Sequence, residues 1–179
     1  ERFFLVGQSM GARIALDYAE SHGERLRGVA AIDFLPDSSV SHARKFDKKR
    51  ARAQPVYDNE EIMLSKFRLH PPGTVLDEAG LKKLGRRSVR RGPAGWTWKF
   101  DWRAFAFPSV PVWPQLPKIA VDALIVRGER SPVLSRPQLE KIAALLPRGR
   151  ALEIAGAHHH VPLDRPRELA DALAAWAAE

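Results

Sequence analysis

The chain has 179 residues, 45% of them hydrophobic, and carries a formal net charge of +8. That length suits one domain, or one domain with a subdomain, and the apolar share is too high for a disordered chain. There is no cysteine, which excludes a disulfide framework and a thiolate metal site, and no apolar run approaches the ~18 residues of a membrane-spanning helix.

The charge is uneven. Residues 40–115 hold 16 Lys and Arg against 7 Asp and Glu, while the rest of the chain holds 13 against 14. A basic segment of this kind attracts anions or nucleic acid, or is simply a solvated surface. No aromatic–basic RNA motif or zinc finger accompanies it. The expected partner is therefore a small-molecule substrate, with neither nucleic acid nor membrane, and the oligomeric state is open.

The first residue is Glu1, not Met, and an apolar strand, Phe3 to Val6, begins at once. The expectation is a chain that lacks its front, silent about targeting and cytoplasmic by default. Gly7-Gln8-Ser9-Met10-Gly11 breaks that strand. A helical pattern follows from Gly11 to His22, with Ile14, Ala15, Tyr18 and Ala19 on one side, and Gly23 is its stop signal. Leu26 to Ile32 reads as a second buried strand ending in Asp33. Strand, helix and strand within about thirty residues make a βαβ unit with parallel pairing.

Residues 38–116 differ from their surroundings: charged, rich in Trp, and interrupted by Pro71-Pro72-Gly73 and Gly92-Pro93. Helices are predicted at 43–52, 58–67 and 77–91, giving an inserted, mostly helical subdomain. Pro108, Pro111, Pro114 and Pro117 mark the return to the main body. A third strand is predicted at 120–127, a helix at 136–146, a fourth strand at 150–155 and a closing helix at 166–178, with Asp164 as its N-cap. The division is 1–37, 38–116 and 117–179.

Gly7-Gln8-Ser9-Met10-Gly11 fits Gly-x-Ser-x-Gly. The spacing suits a sharp strand-to-helix turn, with glycines where side chains would clash and a serine hydroxyl presented at the sheet edge. The amide of Met10 can then donate to an oxyanion. The spacing matches neither the Walker pattern nor Gly-x-Gly-x-x-Gly, which disfavours a phosphate loop. Three histidines, His158, His159 and His160, stand together late in the chain. Neighbours in a loop point apart, so a metal cluster is not expected among them. Neither a metal nor any other cofactor is expected.

From its first strand to its C-terminus the chain resembles the α/β-hydrolase family. Phe4-Leu5-Val6-Gly7-Gln8-Ser9-Met10-Gly11-Ala12 is similar to that family's nucleophile elbow. Ile125-Val126-Arg127-Gly128-Glu129 resembles its penultimate strand, and Ile154-Ala155-Gly156-Ala157-His158-His159-His160 its histidine loop. The resemblance implies an α/β fold made of the C-terminal half of a parallel sheet, four strands with flanking helices, plus the helical cap. It makes Ser9 the nucleophile, His159 its proton partner, and the first strand an exposed apolar edge. Because the family's earlier strands supply a second oxyanion amide, this piece alone is expected to be nearly inactive.

The acid departs from the family's pattern. An Asp usually follows the penultimate strand; here Gly128-Glu129-Arg130-Ser131-Pro132 puts Ser131 or Pro132 in its place. Two candidates remain. Glu129 lies one or more positions early, and Asp33 ends the strand after the elbow helix, an arrangement similar to that of haloalkane dehalogenases. Position decides geometry before pKa does, which favours Asp33. A serine nucleophile implies acyl chemistry, on an ester or a related acyl or C–C bond. Gln8, Trp96 and Trp98 are candidate substrate contacts, and Phe100, Trp102, Phe105 and Phe107 extend the aromatic series; packing within the cap is the competing reading for most of them. The alternative is a catalytically weak relative that binds a ligand, supported by the missing acid at the usual position.

Overall fold

The structure, a computed structural model, describes residues 1–37, 53–101, 104 and 110–179. In chain order these form β1 (Phe3–Gln8), α1 (Met10–His22), β2 (Leu26–Ile32), α2 (Glu60–Ser65), α3 (Glu78–Ser88), β3 (Val89–Gly92) and β4 (Gly95–Trp98). Then come β5 (Asp122–Gly128), α4 (Arg136–Leu145), β6 (Gly149–Ile154), the single turn α5 (Val161–Asp164) and α6 (Pro166–Ala178). Among the described residues no helix is long and apolar enough to cross a membrane.

The chain divides into two compact units. The first comprises Glu1–Asp37, Gly73–Val75 and Val110–Glu179, and the second lies within Ser38–Pro72 and Leu76–Ser109. The expected return to the main body at residue 117 is thus too late. Val112 and Leu116 are fully buried in the first unit's core, and the Val112 amide donates to the Pro36 carbonyl at 3.0 Å.

The first unit is a four-stranded sheet in the order β1-β2-β5-β6, every pair parallel. Successive side chains of a strand face opposite ways, and the two faces of the sheet use different residues. Val29, Ala31, Ala123 and Ile125 pack with α1 and α4 in one core; Ala30, Ile32, Leu124 and Val126 pack with α6 in the other. Strands covered on both faces read as unbroken apolar runs, which is why periodicity of two was invisible in β2 and β5. β1 stands at the sheet edge, with Phe3 and Val6 40% and 45% exposed.

On α1 the buried face is Ala12, Ala15, Leu16 and Ala19, with Tyr18 packed partly buried against the same core; of the predicted side only Ile14 departs, being half exposed. Small alanines let this helix lie close on the sheet. α4 begins with a capping box, in which the Ser135 side chain and Gln138 each satisfy the other's backbone amide. Because Pro137 has no N–H, this satisfies two of the three orphan donors at the helix start.

The second unit is less helical than its sequence suggests. The predicted helix at 58–67 shortens to α2, whose N-cap Asn59 accepts from the Glu61 amide at 2.6 Å. The predicted helix at 77–91 stops at Ser88, and the chain turns into the antiparallel hairpin β3–β4, with Val89 opposite Trp98 and Arg91 opposite Trp96. β-Branched Val89 and the Gly92-Pro93-Ala94-Gly95 turn favour a hairpin over further helix. Met63, Val89 and Trp98 form this unit's own core. The predicted helix at 43–52, and Trp102, Phe105 and Phe107, lie outside the described residues.

Candidate active site

The register of the sheet sets the site. Gln8 pairs with Ile32, Ile32 with Val126, and Gly128 with Ile154, so all four strands end at one edge. Ser9, Asp33 and the loop after Ile154 leave the sheet together there. Among the described residues only two non-glycines have positive φ, Ser9 at 54° and Asp33 at 39°. Such conformations cost about 1–3 kcal/mol each and gather where function requires them. Both are tethered: the Ser9 amide donates to the Ile32 carbonyl at 2.8 Å, and the Asp33 amide to the Val126 carbonyl at 2.7 Å.

The turn at Ser9 is tight because Gly7 lacks a side chain. A Cβ there would sit 2.1 Å from the Gly11 carbonyl oxygen. Gly11 itself differs from the sequence expectation, since a Cβ at that position would meet nothing within 4 Å. Met10 opens α1, so its N–H has no intrahelical acceptor and is free to face an incoming anion.

His159 is 3% exposed and Asp33 is fully buried. His159 Nδ1 lies 2.8 Å from Asp33 Oδ1, and His159 Nε2 lies 3.0 Å from Ser9 Oγ. A carboxylate can only accept, so Nδ1 carries the proton and Nε2 offers its lone pair to the serine hydroxyl. The charge of Asp33 is compensated on all sides: its Oδ2 accepts from the Gly128 amide at 2.8 Å and its Oδ1 from Ser131 Oγ at 2.6 Å. A hydroxyl, an imidazole and a buried carboxylate in series can move a proton away from the hydroxyl and return it.

Ser131, one of the two residues at the place where the sequence resemblance expects an Asp, thus donates to the carboxylate that follows the neighbouring strand. Replacing Ser131 by Ala removes a hydrogen bond to a charged group. It is expected to lower stability by about 1.5–3 kcal/mol in urea unfolding, whereas an unchanged midpoint would show that Ser131 does not support Asp33.

Glu129, the other candidate acid, does not face the imidazole. Its Oε2 accepts from the Gly156 amide at 2.6 Å, which fastens the start of the histidine loop to the end of β5. Arg127, buried beside it, pairs with Glu153 and donates to the carbonyls of Leu134 and Glu129. The histidine loop also presses on β5 directly. A Cβ on Gly128 would fall 2.2 Å from the His158 carbonyl oxygen.

Gln8, expected at the substrate, turns inward. Its Nε2 donates to the His159 carbonyl at 3.1 Å and lies 3.4 Å from His159 Nε2. Trp98 is 9% exposed and packs with Met63, Val89 and Phe67. Trp96 bridges to Tyr57 through backbone hydrogen bonds. Packing within the second unit accounts for both rings. The three histidines have separate partners: His158 faces Asp164, His159 faces Asp33 and Ser9, and the His160 ring meets that of His159 edge-on at 5.0 Å.

Asp164 is not the N-cap of α6. That position falls to Arg165, which makes no side-chain cap. The buried Asp164 carboxylate instead accepts from Thr74 Oγ1 at 2.5 Å, the Val75 amide at 3.1 Å and the His158 amide at 2.7 Å, with His158 Nδ1 at 3.2 Å. Burial pushes its pKa up, but the hydrogen bonds from Thr74, His158 and Val75 together outweigh this and hold it below the ordinary carboxylate value. A lowered carboxyl contributes stability that is complete above the unfolded value of about 3.9 and disappears as pH falls through the folded one. No sequence signal announced this role, because a cap and a buried acceptor use the same residue type.

Comparison with known proteins agrees with this architecture. A model of the alpha/beta hydrolase family matches residues 1–172. The esterase YbfF of Escherichia coli (strain K12) is 26% identical over 167 residues, covering 90% of this chain and 61% of that protein; the chain therefore spans about three fifths of the relative's length. Among solved structures, E-2-(acetamidomethylene)succinate hydrolase superposes with a TM-score of 0.76 at 22% identity, over 99% of this chain and 67% of that one. An esterase of M. tuberculosis superposes with a TM-score of 0.75 at 19% identity, over 96% and 61%. At such identities the superpositions speak for the fold alone.

Proposed function

The chain belongs to the alpha/beta hydrolase family, and on that premise we propose that it carries the machinery of a serine hydrolase acting on a carboxylic ester or a related acyl bond. The observation that carries this reading is the unbroken series Ser9 Oγ, His159 and Asp33, linked at 3.0 and 2.8 Å. The curated relative named an esterase supports the same class of reaction.

Ser9 attacks the acyl carbon while His159 Nε2 takes the hydroxyl proton. Asp33 holds the ring in the Nδ1–H form and stabilises its cation. The Met10 amide donates to the oxyanion. The proton then passes from His159 to the leaving group, which departs and leaves an acyl-enzyme. Water, activated by the same imidazole, releases the acid and restores the serine. No step in this series calls on a metal or an organic cofactor. Gln8 steadies the histidine loop through the His159 carbonyl and, at 3.4 Å, approaches the nitrogen that the serine proton must reach.

The binding-protein alternative rests on the absence of an acid after β5; the Asp33 carboxylate, 2.8 Å from His159 Nδ1, favours the enzyme over it.

A fluorophosphonate probe tests the reading. In the full-length protein the expected result is one covalent adduct on Ser9, located by peptide mass spectrometry and abolished in both Ser9→Ala and His159→Ala. A protein that takes up no probe, or takes it up elsewhere, contradicts the assignment.

A further inference from the structure

Four polar or charged residues are buried among the described ones: Asp33, Arg127, His159 and Asp164. Asp33 and His159 belong to the proton path, and Arg127 is neutralised by Glu153. Asp164 alone has no part in the chemistry, and among the described residues hydrogen-bond donors rather than a Lys or Arg surround its carboxylate. Leaving a buried carboxylate without its donors costs several kcal/mol, and an apolar residue at the same place would pack more simply. The arrangement therefore invites a functional account.

Its geometry supplies one. The two oxygens divide their work: Oδ1 takes the Thr74 hydroxyl and the Val75 amide, and Oδ2 takes the backbone and the ring of His158. The single turn α5 starts immediately after His160, and its Asp164 amide donates back to the His160 carbonyl at 3.0 Å. The turn thus folds the carboxylate back over the residue that precedes His159. On its other side the same His158 backbone abuts Gly128, where a Cβ would lie 2.2 Å from its carbonyl oxygen. Residue 158 is gripped from two directions, and the imidazole one residue later inherits that placement. Thr74 and Val75, though bounded on both sides in sequence by the second unit, belong with the first, and the Asp164 carboxylate is what they hydrogen-bond to there.

We propose that Asp164 is a positioning residue for His159, a second carboxylate that fixes the backbone of the histidine loop so that the imidazole bridges Asp33 and Ser9. The proposal rests on the reading of Ser9 and His159 as nucleophile and base. The carboxylate cannot be replaced by an amide without loss. All its partners along the backbone and at Thr74 are donors, so the NH2 group of an Asn would oppose a donor in a buried place.

The experiment records 15N spectra of the histidine rings and fluorophosphonate labelling rates for the parent, Asp164→Asn and Asp164→Glu, well below each protein's melting temperature. In the parent, His159 is expected in one tautomer, with the proton on Nδ1. In Asp164→Asn the ring is expected to show mixed tautomers and labelling to fall about 10²-fold, the scale of a misplaced catalytic group. Asp164→Glu, which keeps the charge and the acceptors, is expected to recover the fixed tautomer and most of the rate. A loss of stability alone would leave the ring of the folded protein as it was. An Asp164→Asn protein whose His159 keeps the parent tautomer overturns the proposal, whatever its labelling rate. If that variant does not fold, Thr74→Val, which removes a single hydrogen bond, decides in its place: a partly loosened His159 ring supports the proposal and an unchanged one refutes it. If the parent itself takes up no probe at Ser9, the serine-hydrolase reading fails, while the ring spectra still show whether Asp164 holds the imidazole.

Discussion

Replacing Asp33 by Asn is expected to lower the rate of acylation at Ser9 by about 10⁴-fold, the scale on which removal of the carboxylate disables a serine–histidine–aspartate arrangement. The shape is preserved, but the amide can present its NH2 to His159 Nδ1, which favours the tautomer with its proton on Nε2. That nitrogen can then no longer accept from Ser9. The buried position strengthens the effect, since Asp33 is fully enclosed and its other contacts, the Gly128 amide and the Ser131 hydroxyl, are both donors. Glu129→Gln is the matched control. The Gln carbonyl can still accept from the Gly156 amide, so labelling is expected at the parental rate. Stopped-time probe labelling, read by intact mass, measures both. If Glu129→Gln fell as far as Asp33→Asn, or if Asp33→Asn reacted like the parent, the assignment of the acid would be wrong.

The second large effect concerns the elbow. In Gly7→Ala the new methyl would lie 2.1 Å from the Gly11 carbonyl oxygen and 2.4 Å from its carbon. Both belong to backbone that cannot swing aside, unlike the tip of a flexible side chain. The expected cost is about 3 kcal/mol or more, at the upper end for overpacking, with loss of reactivity at Ser9 as the turn opens. Gly11→Ala should behave oppositely. Nothing lies within 4 Å of the added methyl, and Ala in a helix is favoured over Gly by about 0.5–1 kcal/mol. Urea unfolding of the two variants separates them, and equal losses at both positions would contradict the steric account.

The sequence revealed much of the first unit and less of the second, for physical reasons that can be named. Apolar runs at Val29–Ile32 and Ala123–Val126 announced buried parallel strands, because both faces of those strands are covered. The glycine spacing singled out Ser9 and the loop after β6 singled out His159, and the structure brings these two side chains to 3.0 Å. Asp33 was one of two candidates, since separation in sequence does not say which strand end faces an imidazole 126 residues away. The helix predicted through 77–91 ran three residues too far because pairing of Val89–Gly92 with the strand after the turn, not local helical preference, decides the conformation from Val89 onward. Asp164 was read as a cap from local context alone, whereas its donors Thr74 and Val75 are 90 and 89 residues distant. Partners that far away in the chain leave no periodic trace.

Ser9 and His159 lie 150 positions apart and follow β1 and β6, the two outer strands of the described sheet. Contacts of such separation form late, after loop-closure entropy has been met by nearer pairings. On the proposed reading, a nascent or refolding chain therefore has no base beside Ser9 until β6 has docked, and the appearance of a probe-reactive Ser9 reports that docking.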